Sequence, residues 1–215
     1  PSSYLHVQRL SWRILFNQGD PRMIKHIASA AFAAVLSLSA AEAQAVEVNN
    51  PENTIVIEVT SGPITIELLP DVAPLHVERI KTLVKNGEYD NVVFHRVIEG
   101  FMAQTGDVQF GDTEDGYNLS RAGTGGSSMA DIPAEFSKLP FDRGVLGMAR
   151  SQSPNSANSQ FFIMLEEGHF LNNQYTVLGR VIDGMPNVDN IKKGSRAANG
   201  AVDDPDKMIS VKMYQ

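Results

Sequence analysis

The feature that most restricts the fold of this chain is a succession of short β-type segments separated by glycine- and proline-rich turns. The clearest pair is a hairpin, in which residues 54–60 are rich in β-branched side chains, residues 61–63 read Ser-Gly-Pro, and residues 64–68 supply the partner strand. Two more strands, with a bend at Gly100, are predicted within residues 94–107. Others are predicted at 144–150, 159–165, 175–181 and 209–214, and alternation in the last one places Ile209, Val211 and Met213 on one face.

Two segments have helical spacing instead. Between residues 75 and 85 the apolar residues Val77, Ile80, Leu83 and Val84 recur every three or four positions, and Gly87 follows as a stop signal. A second, shorter helix is predicted at 186–193. Many short strands with two helices predict a mainly β fold, in which a closed barrel removes unpaired sheet edges and the helices cover its two openings.

The N-terminal part of the chain has the pattern of a secretory signal peptide at residues 23–45. Residues 23–26 are short and positive, residues 27–40 are rich in Ala, Leu, Val and Phe, and residues 43–45 read Ala-Gln-Ala, which predicts cleavage after Ala45. An uncleaved N-terminal anchor is the alternative. Residues 1–22 precede this leader as an upstream extension of unclear status. We expect residues 46–53 to be an irregular lead-in and residues 54–215 to form one domain.

Composition excludes several classes of function. The chain has no cysteine, so disulfides, thiolate chemistry and cysteine-bound zinc are excluded, and its net charge of −7 gives no support for nucleic-acid binding. His76, His95 and His169 are too far apart in sequence to suggest a metal site. Gly-x-Ser-x-Gly does not occur, and the glycine-rich residues 123–127 lack the lysine of a phosphate-binding loop. We expect no metal and no cofactor.

Residues 94–107 are the strongest candidate for a functional site. Alternation puts Phe94, Arg96 and Ile98 on one face of the first strand and Met102 and Gln104 on one face of the second, with Phe101 at the bend. Gln160 and Phe162 repeat the combination of an amide and an aromatic ring on one strand face. Aromatic and thioether groups beside an arginine are expected where a ligand covers them, although a solvated sheet face would also carry Arg and Gln.

Residues 94–107, Phe-His-Arg-Val-Ile-Glu-Gly-Phe-Met-Ala-Gln-Thr-Gly-Asp, resemble a signature of the cyclophilin-type peptidyl-prolyl cis-trans isomerases. Residues 123–126, 148–150, 159–163 and 170–171 match further segments of that family in the same order, and the resemblance spans residues 53–214. It implies a closed eight-stranded antiparallel β-barrel capped by two α-helices. The chain is most similar to the bacterial exported members, which implies a periplasmic location.

The resemblance also implies roles for particular residues. Arg96 matches the catalytic arginine and Gln104 the glutamine that braces it, and the pocket for the proline ring corresponds to Phe101, Met102, Phe162 and Leu171. The groove for the peptide corresponds to Gln160, Ala149, Arg150 and the rim residue Gly123. Phe170, Tyr175 and Arg150 stand where eukaryotic members have tryptophan, histidine and asparagine. Because the tryptophan donates a hydrogen bond to cyclosporin, we expect that drug to bind weakly.

The expected partners are proline-containing peptides and folding proteins. We expect the protein to be a monomer that does not bind nucleic acid and that does not contact a membrane once the signal peptide has been cleaved. Two other functions stay open at this stage. The same groove could hold proline segments in a chaperone or adaptor whose catalysis is incidental. A carrier of small molecules would need a hollow apolar barrel, whereas the abundant Ile, Val, Leu and Phe at inward positions predict a filled one.

Overall fold

A computed structural model describes residues 47–215 of the chain. The upstream extension and the predicted signal peptide with its cleavage site lie outside the described residues, so those predictions are not addressed by it. Within residues 47–215, no helix is both long enough and apolar enough to cross a membrane.

Eight strands and two α-helices form the described domain. The strands are β1 (Thr54–Val59), β2 (Gly62–Leu68), β3 (Arg96–Ile98), β4 (Met102–Thr105), β5 (Val145–Met148), β6 (Phe161–Met164), β7 (Val177–Asp183) and β8 (Ser210–Met213). The helices are α1 (Pro74–Lys85) and α2 (Met185–Asp189), and three one-turn 3-10 helices lie at Pro51–Asn53, His169–Leu171 and Arg196–Ala198. The first of these turns corrects the expectation that residues 46–53 are irregular throughout.

The eight strands form one antiparallel sheet with the order β3-β4-β6-β5-β7-β2-β1-β8. Strands β3 and β8 lie at the two ends of this order, and isolated bridges join Val93 to Lys207 and Arg96 to Ala201 in the segments beside them. The strands and helices confirm the predicted fold class. Full closure of the barrel stays a prediction, because no continuous ladder joins β3 to β8 within residues 47–215.

Apolar side chains from all eight strands fill the interior. Ile55 and Ile57 of β1, Ile66 of β2 and Leu146 of β5 are fully buried in one cluster with α1. A second, smaller cluster lies on the other side of β4 and β6 and consists of Met102, Phe141, Phe162, Met164, Leu171 and Val177. The filled first cluster argues against a hollow carrier barrel, and the second cluster forms the base of the candidate site.

Helix α1 follows the predicted spacing. Pro74 lies in its first turn, where its missing N–H group costs no hydrogen bond, and Val77, Ile80 and Leu83 are buried along one face. Gly87 follows the helix with φ +72°, a conformation that glycine adopts without strain. The second helix is shorter than predicted and ends at Asp189; beyond its end, the amide of Lys192 donates to the Asp206 carboxylate instead of to a helical carbonyl.

Four details of the strand predictions are wrong. The turn of the first hairpin lies at Thr60 and Ser61, because Gly62 and Pro63 begin β2 and pair with Val59 and Glu58. Phe94 precedes β3 and is buried in the larger cluster, so it does not share a face with Arg96 and Ile98. Tyr175 lies outside β7, because its amide bonds to the carbonyl of Leu171 and holds it in a turn. Ile209 lies just before β8 and is 48% exposed, whereas Val211 is buried.

Candidate active site

Arg96 is the first residue of β3 and lies directly opposite Gln104 of β4. Its Nη1 donates to Oε1 of Gln104 at 3.2 Å and approaches Sδ of Met102 at 3.9 Å. On the other side, its Nε donates to the carbonyl oxygen of Asn199 at 3.0 Å and its Nη2 to Oδ1 of Asn199 at 3.0 Å. Two different segments therefore hold the guanidinium from opposite sides.

Burial lowers the pKa of the Arg96 guanidinium from its usual value. An arginine side chain nevertheless stays protonated in proteins, so the group remains a cation and a donor. Three of its five N–H groups are used by Gln104 and Asn199, which leaves N–H groups that can donate to a bound molecule.

The hydrogen bonds continue beyond Gln104. Its Nε2 donates to Oε1 of Gln160 at 3.0 Å, and Nε2 of Gln160 donates to the carbonyl oxygen of Gly125 at 2.8 Å. Both amides are consequently oriented by partners on each side. We call the series Asn199, Arg96, Gln104, Gln160 and Gly125 the arginine network.

An open pocket of about 300 Å³ lies beside the arginine. Its floor is apolar and rigid, because Met102, Phe162 and Leu171 are all more than nine-tenths buried and Phe141 stacks on Phe162 with ring centroids 5.8 Å apart. The pocket is lined by Arg96, Phe101, Met102, Gln104, Ala149, Arg150, Phe162, Phe170, Leu171 and Tyr175. A small apolar ring could enter it while a polar group beside the ring faces Arg96.

Aromatic contacts build the rim of this pocket. Phe101 and Phe170 pack with ring centroids 5.4 Å apart, and Phe170 is 67% exposed. On the other wall, Tyr175 meets Phe162 edge to face at 5.8 Å, and the Arg150 guanidinium lies 4.4 Å from the centroid of the Tyr175 ring. The rim therefore carries one exposed ring and one ring covered by a cation.

A polar groove of about 420 Å³ adjoins the pocket and contains Gln160 and Gly123. The Asp107 side chain, which is fully buried, shapes its glycine-rich edge. One carboxylate oxygen accepts the amides of Gly123 and Gly125 at 2.7 and 2.9 Å, and the other accepts those of Gln109 and Phe110. The long loop after Asp107 is thus fixed to the carboxylate, and the loop in turn positions the Gly125 carbonyl of the arginine network.

His95 lies under the same edge and is nearly buried. A Cβ added at Gly123, whose φ is +98°, would come within 2.9 Å of Cδ2 of the His95 ring, so only glycine fits there. Burial lowers the pKa of His95 from 6.5 to about 4, although the nearby Asp107 carboxylate opposes this shift. The imidazole is therefore neutral at pH 7.

The structure brings together every site residue that the sequence predicted. Ten of the twelve line the pocket, and the other two, Gln160 and Gly123, line the groove. Sequence reasoning missed Asn199 and the anchoring function of Asp107. The Asn199-Gly200 pair is a turn signal, but nothing in the sequence links it to an arginine 103 positions earlier.

Comparisons with known proteins agree with this geometry. The profile of the family described as cyclophilin type peptidyl-prolyl cis-trans isomerase/CLD matches residues 54–213. A protein of Brucella suis named probable peptidyl-prolyl cis-trans isomerase is 59% identical over 179 residues, which cover 83% of this chain and 91% of that protein.

Solved cyclophilin structures are similar at lower identity. The crystal structure of a cyclophilin from Hirschia baltica matches with a TM-score of 0.64 and 27% identity, covering 76% of this chain and 74% of that one. A Cryptosporidium parvum cyclophilin crystallised in the presence of the dipeptide Ala-Pro matches with a TM-score of 0.63 and 27% identity, covering 75% and 99%. Profile, relatives and structures all give the same assignment, and the chain belongs to the family of cyclophilin-type peptidyl-prolyl cis-trans isomerases.

Proposed function

We propose that this isomerase assists the folding of exported proteins, and that it does so by stabilising a twisted X–Pro amide with Arg96. The proline ring enters the apolar pocket of Met102, Phe162 and Leu171, and the residues before it lie along the groove. A related cyclophilin, 27% identical, was crystallised in the presence of Ala-Pro, which supports proline-containing peptides as the ligands of the pocket. The signal-peptide pattern of residues 23–45 supports export.

Rotation about a peptide bond is slow because resonance gives the C–N bond double-bond character, with a barrier of about 18–20 kcal/mol. X–Pro bonds populate both isomers and exchange over about tens to hundreds of seconds without a catalyst. In the twisted state the nitrogen regains its lone pair and can accept a hydrogen bond. A donor that reaches this nitrogen binds the twisted state more strongly than either planar isomer and thereby accelerates the rotation.

The observation that carries this proposal is the Arg96 guanidinium, which is held on two sides beside the apolar pocket and retains unused N–H groups. A thousandfold acceleration requires a barrier lower by about 4 kcal/mol. A hydrogen bond from a charged group contributes about 1.5–3 kcal/mol. Clamping of the proline ring, which leaves only the preceding carbonyl to swing, supplies the remainder.

A binding module with incidental catalysis remains the alternative. A module of that kind needs the pocket and the groove, but it gains nothing from a fixed arginine orientation. Here Gln104, Gln160 and Asn199 all contribute hydrogen bonds that orient Arg96 directly or through one intermediate. This preorganisation favours catalysis as the function of the site.

A protease-coupled isomerisation assay on the mature chain tests the mechanism. We expect Arg96→Ala and Arg96→Lys to lose most of the turnover, since lysine lacks the planar fork, while peptide affinity measured by calorimetry falls much less. Arg180→Ala is the matched control, because Arg180 is exposed on β7 and pairs with Glu67 away from the pocket. Near wild-type turnover in Arg96→Ala would remove this residue from the mechanism.

Export is tested separately. The precursor, expressed in a Gram-negative host, is expected in the periplasmic fraction, with a mature N-terminus at Val46 by Edman sequencing and intact mass. A product that begins well before Val46 would instead support the uncleaved anchor. Refolding of a proline-limited exported protein should be faster with the wild type than with Arg96→Ala, and equal rates would favour the binding module.

A further inference from the structure

Three residues, Gln104, Ala149 and Arg150, line both the pocket and the adjoining groove. A peptide whose proline occupies the pocket and whose preceding residues enter the groove must pass this boundary. Of the three, only Arg150 carries a charge. Its side chain is half-buried and lies over the Tyr175 ring at 4.4 Å, so the position of the guanidinium is fixed by the pocket wall itself.

No carboxylate neutralises Arg150 within the part of the chain that the structure describes. Its guanidinium donates only to backbone carbonyls, those of Gln174 at 2.8 and 3.2 Å, Ser151 at 2.9 Å and Gln152 at 3.3 Å. The acidic residue of the groove, Asp131, accepts a hydrogen bond from Asn158 at 3.0 Å instead of pairing with Arg150.

Arg96 is likewise held by neutral groups, the amide of Gln104 and the carbonyl and amide of Asn199. Two cations without an ion-pair partner in the described residues therefore line one pocket of a chain whose net charge is −7. Charges of one sign that converge on a cleft attract ligands of the opposite sign, and the effect weakens as salt screens it.

We propose that Arg150 gives this enzyme a preference for X–Pro bonds that follow an acidic side chain, Asp or Glu, at one of the two positions before the proline. The inference rests on the proposed function, since it concerns substrates of the same site, and it assigns Arg150 as a specificity-determining residue. Arg96 acts on the reacting bond, whereas Arg150 acts on the neighbouring side chain.

Two series of acetyl-capped tetrapeptide p-nitroanilides test the preference, Ala-Xaa-Pro-Phe and Xaa-Ala-Pro-Phe, with Glu, Gln or Lys at Xaa. Acetyl caps avoid the extra carboxylate of a succinyl group. Because partly exposed charge pairs contribute modestly, we expect kcat/KM for the Glu peptide to exceed that for the Gln peptide about threefold at low salt in at least one series. The Lys peptide should be the poorest substrate, and the differences should shrink as salt is raised.

Two variants and a control assign the effect to Arg150. Arg150→Gln should bring the Glu-to-Gln ratio close to one, Arg150→Lys should retain part of it, and Arg180→Gln should leave it unchanged. The ratio is taken within each variant, so a general loss of activity does not obscure it. If Arg150→Gln fails to fold, two other measurements test the inference. The Glu-to-Gln ratio of the wild type should shrink as salt is raised, and the ratio of Arg150→Lys should be smaller than that of the wild type; a ratio that changes in neither case would refute the inference.

A Glu-to-Gln ratio near one in both series of the wild type would overturn the inference, as would a ratio that Arg150→Gln leaves intact. These outcomes differ from failure of the proposed function. If the wild type does not isomerise even the Gln peptides, the proposed function fails. If it isomerises them without preferring Glu, only the preference is refuted.

Discussion

Asn199 offers the sharpest test of how Arg96, the proposed catalytic residue, is positioned, because the two contacts between Asn199 and Arg96 can be separated. The carbonyl oxygen of Asn199 accepts from Nε and its side-chain oxygen accepts from Nη2, each at 3.0 Å. Its φ of +54° is left-handed, a conformation that glycine also adopts without strain. Asn199→Gly therefore removes the side-chain bond while the backbone bond can persist.

The expected size of the effect follows from the solvent exposure of this bond. A hydrogen bond to a charged group contributes about 1.5–3 kcal/mol when buried, and we take about 1 kcal/mol for this exposed one. If the loss falls entirely on the transition state, kcat decreases about fivefold. The apolar floor of the pocket is untouched, so KM should change little.

The assay is protease-coupled isomerisation over a range of peptide concentrations, so that kcat and KM are resolved, together with urea unfolding of each variant. Asn173→Gly is the control, since Asn173 is also left-handed, at φ +59°, but is exposed and lines neither pocket nor groove. The reasoning fails if Asn199→Gly keeps the wild-type kcat, or if KM rises while kcat stays constant.

Three further predictions concern other parts of the site. Asp107→Asn should lower the free energy of unfolding by about 2–4 kcal/mol in urea titrations, because an amide group would face buried N–H donors. Between pH 6.5 and 4, His95 is protonated in the unfolded chain but neutral in the folded one. The free energy of unfolding should therefore decrease as the pH is lowered, by up to about 3 kcal/mol, and His95→Gln should flatten this slope. Cyclosporin should inhibit only at micromolar or higher concentration, since Phe170 lacks an N–H donor, and nanomolar inhibition would contradict this.

Local patterns predicted most of the fold. The hairpin of β1 and β2 is contained in one sequence segment rich in β-branched residues, and its register pairs Ile55 with Ile66 as alternation requires. Only the place of its turn differs, since Gly62 and Pro63 are the first residues of β2. The errors have both local and distant causes: Tyr175 is held in a turn by the carbonyl of Leu171, four residues before it, whereas the second helix is followed by a long-range contact. The second helix ends at Asp189, and the amide of Lys192 beyond it bonds to Asp206, a contact that no local pattern contains.

The site was predictable for a related reason. Alternation predicted the strand face of Arg96 and of Gln104, and the resemblance to the cyclophilins implied that the two meet; the structure pairs them directly across the hairpin that bends at Gly100. Asn199 reaches Arg96 from 103 residues away, and the amides of Gly123 and Gly125 reach Asp107 from 16 and 18 residues away. Such pairings depend on the path of the completed sheet and of its long loops.

These distant contacts matter because rotation of an amide involves no proton transfer and no covalent intermediate. In the proposed mechanism the barrier falls because a donor is held where the twisted nitrogen will be and the proline ring is clamped, so the rate should depend on the position of Arg96 more than on its pKa. The position is set by the arginine network, whose far end, the Gly125 carbonyl, is held by the loop that Asp107 anchors. Loosening that anchor should therefore reduce kcat even though Asp107 lies away from the apolar pocket.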